Sequence, residues 1–424
     1  MTVRSLQSAS TAERERLLDD FVRLCEIESP SQSERNVADA VKADLEALGL
    51  QVEEDDAGAE TGSDAGNLLA RIEGPPDSRT ILLCAHLDTV PLAAPVDVAR
   101  ENGVLTNRHD AILGADNKSA VATLLAAARR LTAEGAPVGV ELLFTVCEEH
   151  ALAGAKAFDP TRLRSEFGYV FDHASPIGEV VVASPTYYRL EAEFRGQAAH
   201  AGIRPEAGHN AIVAAAKAIA ALEIGRLDDS TTANVGQIEG GTAANVVAER
   251  CRVVLETRSL DDARAGEVVS EMVDAITEAA SDLECDVETT VERLFRGYKL
   301  ARNGPPLEVA AEALRSTGTE PVYINTGGGS DANAYIAAGL PVVNMANGTE
   351  GNHQPDESVT LDALHRTHDL ALAIVAASAR ASPMAFERID SKKVWEGRIA
   401  TVRVDRFRYD DGEEAEREVI AHPG

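Results

Sequence analysis

The sequence predicts an α/β protein in which helices flank a mostly parallel central sheet and an inserted α+β domain interrupts the chain. Two observations lead to this fold class. Short apolar runs alternate with helical stretches before residue 185, as they do in βαβ units. After Pro185 this pattern is replaced by period-2 alternation and a long Ala-rich helix. The alternation of apolar runs with helical stretches resumes near residue 296. The length of 424 residues suits two or three domains of roughly 150 residues each.

The elements of the first part follow from the spacing of apolar residues. Apolar positions at helical intervals predict helices over 11–27 and 36–48. Apolar runs predict strands over 80–84, 138–146 and 169–171, and a helix over 119–132 is expected between the first two. This order predicts parallel strands joined by crossover connections.

The middle of the chain predicts a separate sheet packed on two helices. The expected elements are strands over 188–194, 232–238, 252–259 and 287–291 and helices over 210–222 and 263–283. The α/β texture then resumes with the elements 306–316, 322–325, 341–345 and 361–380. We therefore expect a main domain split between residues 1–184 and 296–384, an inserted domain over 185–295 and a C-terminal hairpin tail over 385–424.

The composition excludes several classes of partner. Acidic residues outnumber basic ones by 70 to 40, and the net charge of −30 repels nucleic acids and anionic membranes. No export signal is expected, because residues 1–16 are polar and carry Arg4, Arg14 and Arg16 without an apolar segment. No membrane span is expected, because no apolar run reaches about 18 residues. Five widely spaced cysteines without a CxxC pair indicate neither a disulfide framework nor a thiolate zinc site, so a cytoplasmic location is expected.

Histidines and carboxylates follow the predicted strands, where a parallel sheet gathers side chains at one edge. They are His86 and Asp88 after the strand 80–84, Asp116 before the helix 119–132, Glu148 and Glu149 after 138–146, Asp172 after 169–171, and His353 after a Gly-rich loop. Each alone has a simpler interpretation, such as a structural histidine, a helix cap or an exposed glutamate. If Glu148 and Glu149 extend their strand, their side chains point in opposite directions, so one binds a cation and the other faces a reacting water.

These residues lie in motifs that resemble the M20 family of dinuclear zinc peptidases and amidohydrolases. The motifs are residues 84–91 (CAHLDTVP), 114–118 (GADNK) and 145–149 (TVCEE), followed by Asp172 and His353 in the family's order. Residues 240–245 and 328–333 also resemble the peptidase T branch. The resemblance covers roughly residues 15–380. It implies that the split main domain is a zinc-peptidase catalytic domain and that the insert is a lid and dimerisation domain.

The resemblance implies a centre of two zinc ions, which cobalt or manganese can replace. Its ligands would be His86 and Asp172 on one ion, Glu149 and His353 on the other, and Asp116 bridging both. Asp88 would orient His86, and Glu148 would act as the general base. Asn117 departs from the pattern, because relatives often carry an acidic residue there, and this change bears on metal affinity. The family also implies a cis peptide bond between Asp116 and Asn117.

The inserted domain carries residues that the resemblance connects with the substrate. His200 would stabilise the oxyanion in the active site of a partner subunit, which implies a homodimer. Asn245 and Arg258 would bind polar groups of the substrate, with Arg258 as a bidentate clamp for a carboxylate. The alternatives are a surface histidine at position 200 and an ion pair of Arg258 with Glu256 or Asp261.

The tail beyond residue 385 is dense in charge, and alternation at Val402 and Val404 followed by Asp411-Gly412 predicts a hairpin. Residues 394–424 resemble the opening hairpin of the Nudix class of ADP-ribose pyrophosphatases. No Nudix box follows in this sequence, so pyrophosphatase activity is not expected. An ordinary hairpin is the alternative.

The sequence thus predicts a zinc aminopeptidase of the peptidase T type that hydrolyses short peptides. An M20-type amidohydrolase or carboxypeptidase acting on N-acyl amino acids is the alternative within the family. A non-catalytic dimeric binding protein is disfavoured, because every ligand position and Glu148 are occupied by suitable residues.

Overall fold

The computed structural model describes residues 9–381, 386–396, 401–409 and 414–421. Its helices are α1 (Thr11–Cys25), α2 (Arg35–Ala47), α3 (Ala57–Thr61), α4 (Ala115–Glu134), α5 (Ala153–Ala157), α6 (Ala211–Ala221), α7 (Asp262–Asp282), α8 (Pro305–Ser316), α9 (Asp331–Ala337) and α10 (Leu361–Ser378).

The strands are β1 (Val52–Glu54), β2 (Leu68–Ile72), β3 (Thr80–His86), β4 (Val98–Glu101), β5 (Val104–Asn107), β6 (Gly139–Thr145), β7 (Phe167–His173), β8 (Glu179–Ser184), β9 (Thr186–Arg195), β10 (Gly225–Arg226), β11 (Thr231–Gly240), β12 (Arg250–Ser259), β13 (Asp286–Phe295), β14 (Tyr298–Lys299), β15 (Val322–Asn325), β16 (Val342–Ala346), β17 (Thr349–Glu350), β18 (Ser358–Thr360), β19 (Phe386–Glu396), β20 (Thr401–Tyr409) and β21 (Glu414–Ala421).

A nine-stranded sheet forms the main body, in the order β1-β2-β6-β3-β7-β16-β8-β14, with β15 beside β8. The four central strands β6, β3, β7 and β16 are parallel, and antiparallel strands lie at both edges. Both faces of the centre are buried. In β3, Ile81 and Leu83 belong to the core that includes α1, α4 and α10, whereas Leu82 and Cys84 belong to the smaller core that includes α9. Burial on both faces explains why these strands are continuous apolar runs.

The segment between β8 and β14 forms an antiparallel sheet of its own, in the order β10-β11-β12-β9-β13. Helices α6 and α7 contribute to a separate apolar core with β9 and β12. Alternate residues of β12 are buried, as expected for a sheet with helices on one face only. The predicted elements of this segment are confirmed with shifts of a few residues at their ends.

Several strands were not predicted, and most of them are short and carry little periodic signal. The pairs β4 with β5 and β17 with β18 form a small four-stranded sheet that joins sequence segments about 250 residues apart. In the tail, β20 and β21 are antiparallel as predicted for a hairpin, and β19 adds a third strand on the other side of β20. The predicted Asp411-Gly412 turn lies outside the described residues. None of the helices in the described ranges is both long and apolar enough to cross a membrane.

Helix α10 buries His368 against α1 and α4, and this predicts a pH-dependent stability. Burial lowers the pKa of His368 to about 4; Asp369 and Glu13 oppose the shift, whereas Arg130 and His365 reinforce it. In the unfolded chain, His368 takes up a proton near pH 6.5. The contribution of the neutral, buried His368 to stability is therefore complete above that pH and is lost as the pH falls toward 4. We expect a loss of about 3 kcal/mol in the free energy of unfolding.

The test compares the wild type with His368→Leu by denaturant unfolding at about pH 7 and about pH 4.5. The variant should lose less stability on acidification, because it lacks the proton uptake. An equal loss in both proteins would contradict the assignment.

Candidate active site

The predicted site residues converge at the carboxyl ends of the central strands. His86 ends β3, Asp172 lies near the end of β7, and Glu149 follows β6. Asp116 lies at the start of α4, and His353 lies in the loop between β17 and β18. The order β6-β3-β7 makes three of these segments neighbours. A parallel sheet with crossover helices brings such residues to one edge.

The carboxylate of Asp116 lies between two histidines. Its Oδ1 is 3.3 Å from His86 Nε2, and its Oδ2 is 3.2 Å from His353 Nε2. His86 Nε2 is also 3.4 Å from Asp172 Oδ1, and His353 Nε2 is 2.9 Å from Glu149 Oε1. Two groups of donors thus share one carboxylate, with one oxygen facing each group.

These distances suit a shared metal centre. Ligand atoms on a tetrahedral zinc ion lie about 2.0–2.2 Å from the ion and therefore about 3.3 Å from each other. The ligand atoms of His86, Asp116 and Glu149 lie within 4.8 Å of one another, and so do those of His86, Glu148 and Asp172. Imidazole nitrogens and carboxylate oxygens are donors that zinc accepts. The residues therefore fit two divalent cations.

The electrostatics of the cluster favour cations as well. Burial raises the pKa of Asp172 to about 8, and burial followed by the charge of Asp172 raises the pKa of Glu148. Burial lowers the pKa of His86, but the surrounding carboxylates outweigh it and raise that pKa well above its ordinary value. Hydrogen bonds with Asp116 and Glu149 raise the pKa of His353 to about 10. This excess of buried negative charge is what bound cations would neutralise.

The buried carboxylate of Asp88 connects several segments of the site. Its carboxylate accepts hydrogen bonds from the backbone N–H groups of Glu148 (2.9 Å) and Glu149 (3.1 Å) and from the hydroxyl of Ser31 (2.7 Å). Its Oδ1 also lies 3.4 Å from His86 Nδ1. Burial raises the pKa of Asp88, but these partners outweigh burial and hold it below its usual value. An ionised Asp88 can fix the ring of His86 and the backbone of both glutamates.

Glu148 and Glu149 do not continue the strand, so the expected alternation of their side chains is wrong. Strand β6 ends at Thr145, and Cys147 has a left-handed backbone with φ of 51°. The two glutamates lie in a turn after it. Buried Glu34 accepts the Cys147 N–H at 3.0 Å and supports this turn. Glu148 and Glu149 lie in different sets of potential ligand atoms, and His86 belongs to both sets.

The sequence reasoning missed three buried residues around the cluster. Glu357 accepts hydrogen bonds from the N–H groups of Leu113, Gly114 and Asp116, each at 2.8 Å. Asp331 accepts the Thr145 hydroxyl at 2.5 Å. The Lys118 ammonium donates to Ser29 Oγ at 2.6 Å. Only their positions in the sequence could have pointed to these residues. Glu357 follows His353 by four residues, and Asp331 and Lys118 lie within the motifs given above.

Asn117 directly follows Asp116 and is fully buried. The peptide bond between Asp116 and Asn117 is cis, as the resemblance implied. The Asn117 side chain accepts a long hydrogen bond from Asn347 Nδ2 at 3.5 Å.

A cavity of about 850 Å³ opens beside the cluster, between the main body and the inserted sheet. Glu148, Glu149 and Arg258 all line it. Arg258 stacks at 4.2 Å on the ring of Tyr187, pairs with Glu256 at 3.2 Å and donates to the carbonyl of Gly327 at 3.2 Å. The ion pair expected as an alternative for Arg258 therefore forms with Glu256. Asp261 instead caps helix α7.

One wall of this cavity is closely packed around Gly329 and Phe295. Gly329 and Phe295 line the same side, and a Cβ atom added to Gly329 would lie 2.4 Å from the Phe295 ring. Phe295 in turn packs edge-on against Tyr187.

His200 and Asn245 lie elsewhere on the inserted segment. The backbone N–H of Ala201 donates to the carbonyl of Asn245 at 2.9 Å, and His200 forms an isolated bridge with Val246. Both side chains are exposed. Among the described residues, neither belongs to the wall of the cavity beside Glu148. Within one chain, the structure therefore brings Arg258 to the cluster but not His200 or Asn245.

Fold and site together define a metal-dependent hydrolase with a split main domain. The chain belongs to peptidase family M20/M25/M40, whose sequence model matches residues 82–377. Every ligand predicted from the sequence lies within this range.

Relatives and solved structures agree with this family. The uncharacterized protein YqjE of Bacillus subtilis is 36% identical over 366 residues, covering 86% of this chain and 99% of that protein. The aminopeptidase PepT of Bacillus cereus is 36% identical with a TM-score of 0.78, covering 86% of this chain and 99% of its own. A tripeptidase of Staphylococcus aureus is 33% identical with a TM-score of 0.82, covering 87% and 99%. A probable carboxypeptidase of Aspergillus terreus is 31% identical over 254 residues, 53% of this chain.

The interpretation of the tail as a truncated Nudix segment is not borne out. The matched family range ends at residue 377, and the relatives described above are peptidases or uncharacterized. Alternating residues and an Asp-Gly turn specify antiparallel strands of many kinds, so they did not carry a family assignment.

The position of Asp116 between the two donor groups predicts how metal binding responds to substitution. Asp116→Ala should weaken the binding of both ions, because each donor group loses one oxygen. His353→Ala should weaken the binding of one ion only. Metal content after dialysis, measured by mass spectrometry, separates these outcomes. Loss of both ions from His353→Ala alone would contradict two separable donor groups.

Proposed function

We propose that the protein is a dinuclear zinc aminopeptidase that hydrolyses short peptides. The observation that carries this proposal is Asp116, whose two oxygens face separate donor groups while Glu148 lies beside one of them. The likeness to an aminopeptidase and a tripeptidase, each over 99% of its own length, supports the substrate class. A cavity of about 850 Å³ also suits a ligand as small as a di- or tripeptide.

Each residue of the cluster has a proposed part in the reaction. Two zinc ions bound by His86, Asp172, Asp116, Glu149 and His353 would polarise the scissile carbonyl and lower the pKa of an attacking water. Glu148 takes the proton of that water and delivers it to the leaving amine. Asp88 keeps His86 and the backbone of Glu148 in position. Arg258 binds the carboxylate at the far end of a short peptide. Asn245 does not line the cavity of its own chain, so it would bind a polar group of the substrate from the partner subunit, as proposed below for His200.

A substrate panel tests this function against the alternatives. We expect hydrolysis of di- and tripeptides with a free N-terminus and little hydrolysis of N-acetylated ones, in the presence of zinc, cobalt or manganese. Carboxypeptidase or amidohydrolase activity would reverse this preference, and the likeness to a probable carboxypeptidase makes it the competing outcome.

Glu148→Gln serves as the matched control in this panel. It keeps the shape of the side chain and removes the base, so kcat should fall by about 10²–10⁴-fold while the metal stays bound. Glu149→Gln should instead lose metal. Turnover near that of the wild type in Glu148→Gln would reject the proposed base.

We also propose a homodimer in which His200 completes the active site of the partner subunit. Its exposure and its distance in the fold from the cavity of its own chain support this proposal. Exposed apolar side chains on the same segment support a contact surface, among them Ile203 (71% exposed) and Val213 (50%). The five cysteines are all free and buried, which supports the proposed cytoplasmic location.

Mixing His200→Ala with Glu148→Gln tests the shared site. Each variant alone should be nearly inactive, whereas a hybrid dimer contains one intact site. Random exchange should restore about a quarter of the wild-type activity. No recovery, once subunit exchange is confirmed with differently tagged chains, would contradict the role of His200 across the dimer.

A further inference from the structure

We propose that Glu357 is a positioning residue that sets the geometry of the metal centre through the backbone of Asp116. This inference rests on the proposed metal site. Glu357 makes no contact with the reacting groups that we assign, and its side chain is buried to 99%. Its effect would pass through the loop that carries the bridging carboxylate.

The side chain of Glu357 accepts hydrogen bonds from the backbone of that loop. Oε2 accepts the N–H groups of Leu113 and Gly114, and Oε1 accepts the N–H of Asp116, each at 2.8 Å. Gly114 has a left-handed backbone with φ of 74°, and Asp116 is not helical although it lies in the first turn of α4. The loop therefore has no regular secondary structure to fix it. The three hydrogen bonds to one carboxylate supply that constraint.

The carboxylate also supplies the acceptors that this loop lacks. N–H groups that precede the first regular turn of a helix have no partner within it. A buried N–H group without a partner is costly, so removal of Glu357 would leave the loop free to rearrange. Glutamine at 357 offers one carbonyl oxygen and directs an NH2 group at a backbone N–H. It therefore cannot reproduce the three bonds.

Glu357 lies four residues after His353 in the same segment. Its hydrogen bonds to the Asp116 loop therefore bear on the position of His353 as well. Two backbone hydrogen bonds, from Gln354 to Gly351 and from Glu357 to Gln354, connect the two residues through successive turns. Glu357 thus ties the segment that holds His353 to the loop that holds Asp116. His353 Nε2 lies 3.2 Å from Asp116 Oδ2, and a shift of either segment would change this distance. A displaced loop would alter both donor groups, because Asp116 belongs to both.

A role in stability alone is the competing explanation, and Glu141 provides a matched control. Glu141 is fully buried on β6 and accepts the N–H groups of Arg164 (2.9 Å) and Ser165 (3.0 Å). Glu141 lies four residues before the end of β6. Its partner on β3 is Leu82, and it is not paired with a site residue. Glu141 also pairs with Arg71 at 2.9 Å, so Glu141→Gln disturbs bonds to backbone N–H groups and an ion pair, both away from the metal cluster.

The experiment measures zinc binding to metal-free protein and unfolding in the presence of a chelator for Glu357→Gln and Glu141→Gln. We expect both variants to lose stability and only Glu357→Gln to lose zinc affinity, by about 10–100-fold. Its kcat should fall while KM stays close to the wild-type value. Glu357→Asp keeps the charge and shortens the side chain, so it should lose less zinc affinity and provides a second variant should Glu357→Gln fail to fold.

Unchanged zinc affinity in a folded Glu357 variant, or an equal loss in Glu141→Gln, would overturn the proposal. The readout also separates this inference from the proposed function. A wild-type protein that binds zinc but hydrolyses no peptide would overturn the function and leave the role of Glu357 standing. A wild-type protein that binds no zinc would overturn both.

Discussion

The concentration of buried carboxylates at one edge of the central sheet is the constraint on which the structure depends. Asp88, Asp116, Glu148 and Asp172 lie within one cluster with little exposure to solvent. Like charges in such a place repel each other and lose their hydration, so each needs a compensating partner. The fold supplies backbone N–H groups to Asp88 and two histidines to Asp116. Cations would supply the rest.

This constraint explains why the surrounding loops have their conformations. Three buried carboxylates, Glu34, Asp88 and Glu357, accept backbone N–H groups from the two loops that carry Asp116, Glu148 and Glu149. Each of the three comes from a different part of the chain. The site is therefore fixed by long-range contacts rather than by the local conformation of its own loops, and its precision depends on the packing of the whole main body.

The sequence was sufficient for the fold class and for the convergence of the candidate ligands at one edge of the sheet, because both leave periodic or motif signals. Apolar runs identified β3, β6 and β7, and residues at their ends could be assigned to one edge. The conformation of the Glu148-Glu149 turn was not predictable, since it depends on a left-handed Cys147 and on Glu34, which is 113 residues away. The role of Glu357 could not be predicted from the sequence for the same reason. A glutamate that binds backbone N–H groups across 241 residues has no local signature.

The close approach of Gly329 to the ring of Phe295 has a consequence for protein engineering. A side chain at position 329 could be accommodated only if the ring moved, and that ring is itself packed on Tyr187 beneath Arg258. Libraries that aim to broaden substrate range should therefore vary position 295 and keep glycine at 329. Smaller residues at 295 would widen the cavity on that side, whereas any enlargement at 329 would propagate through two aromatic rings to the arginine.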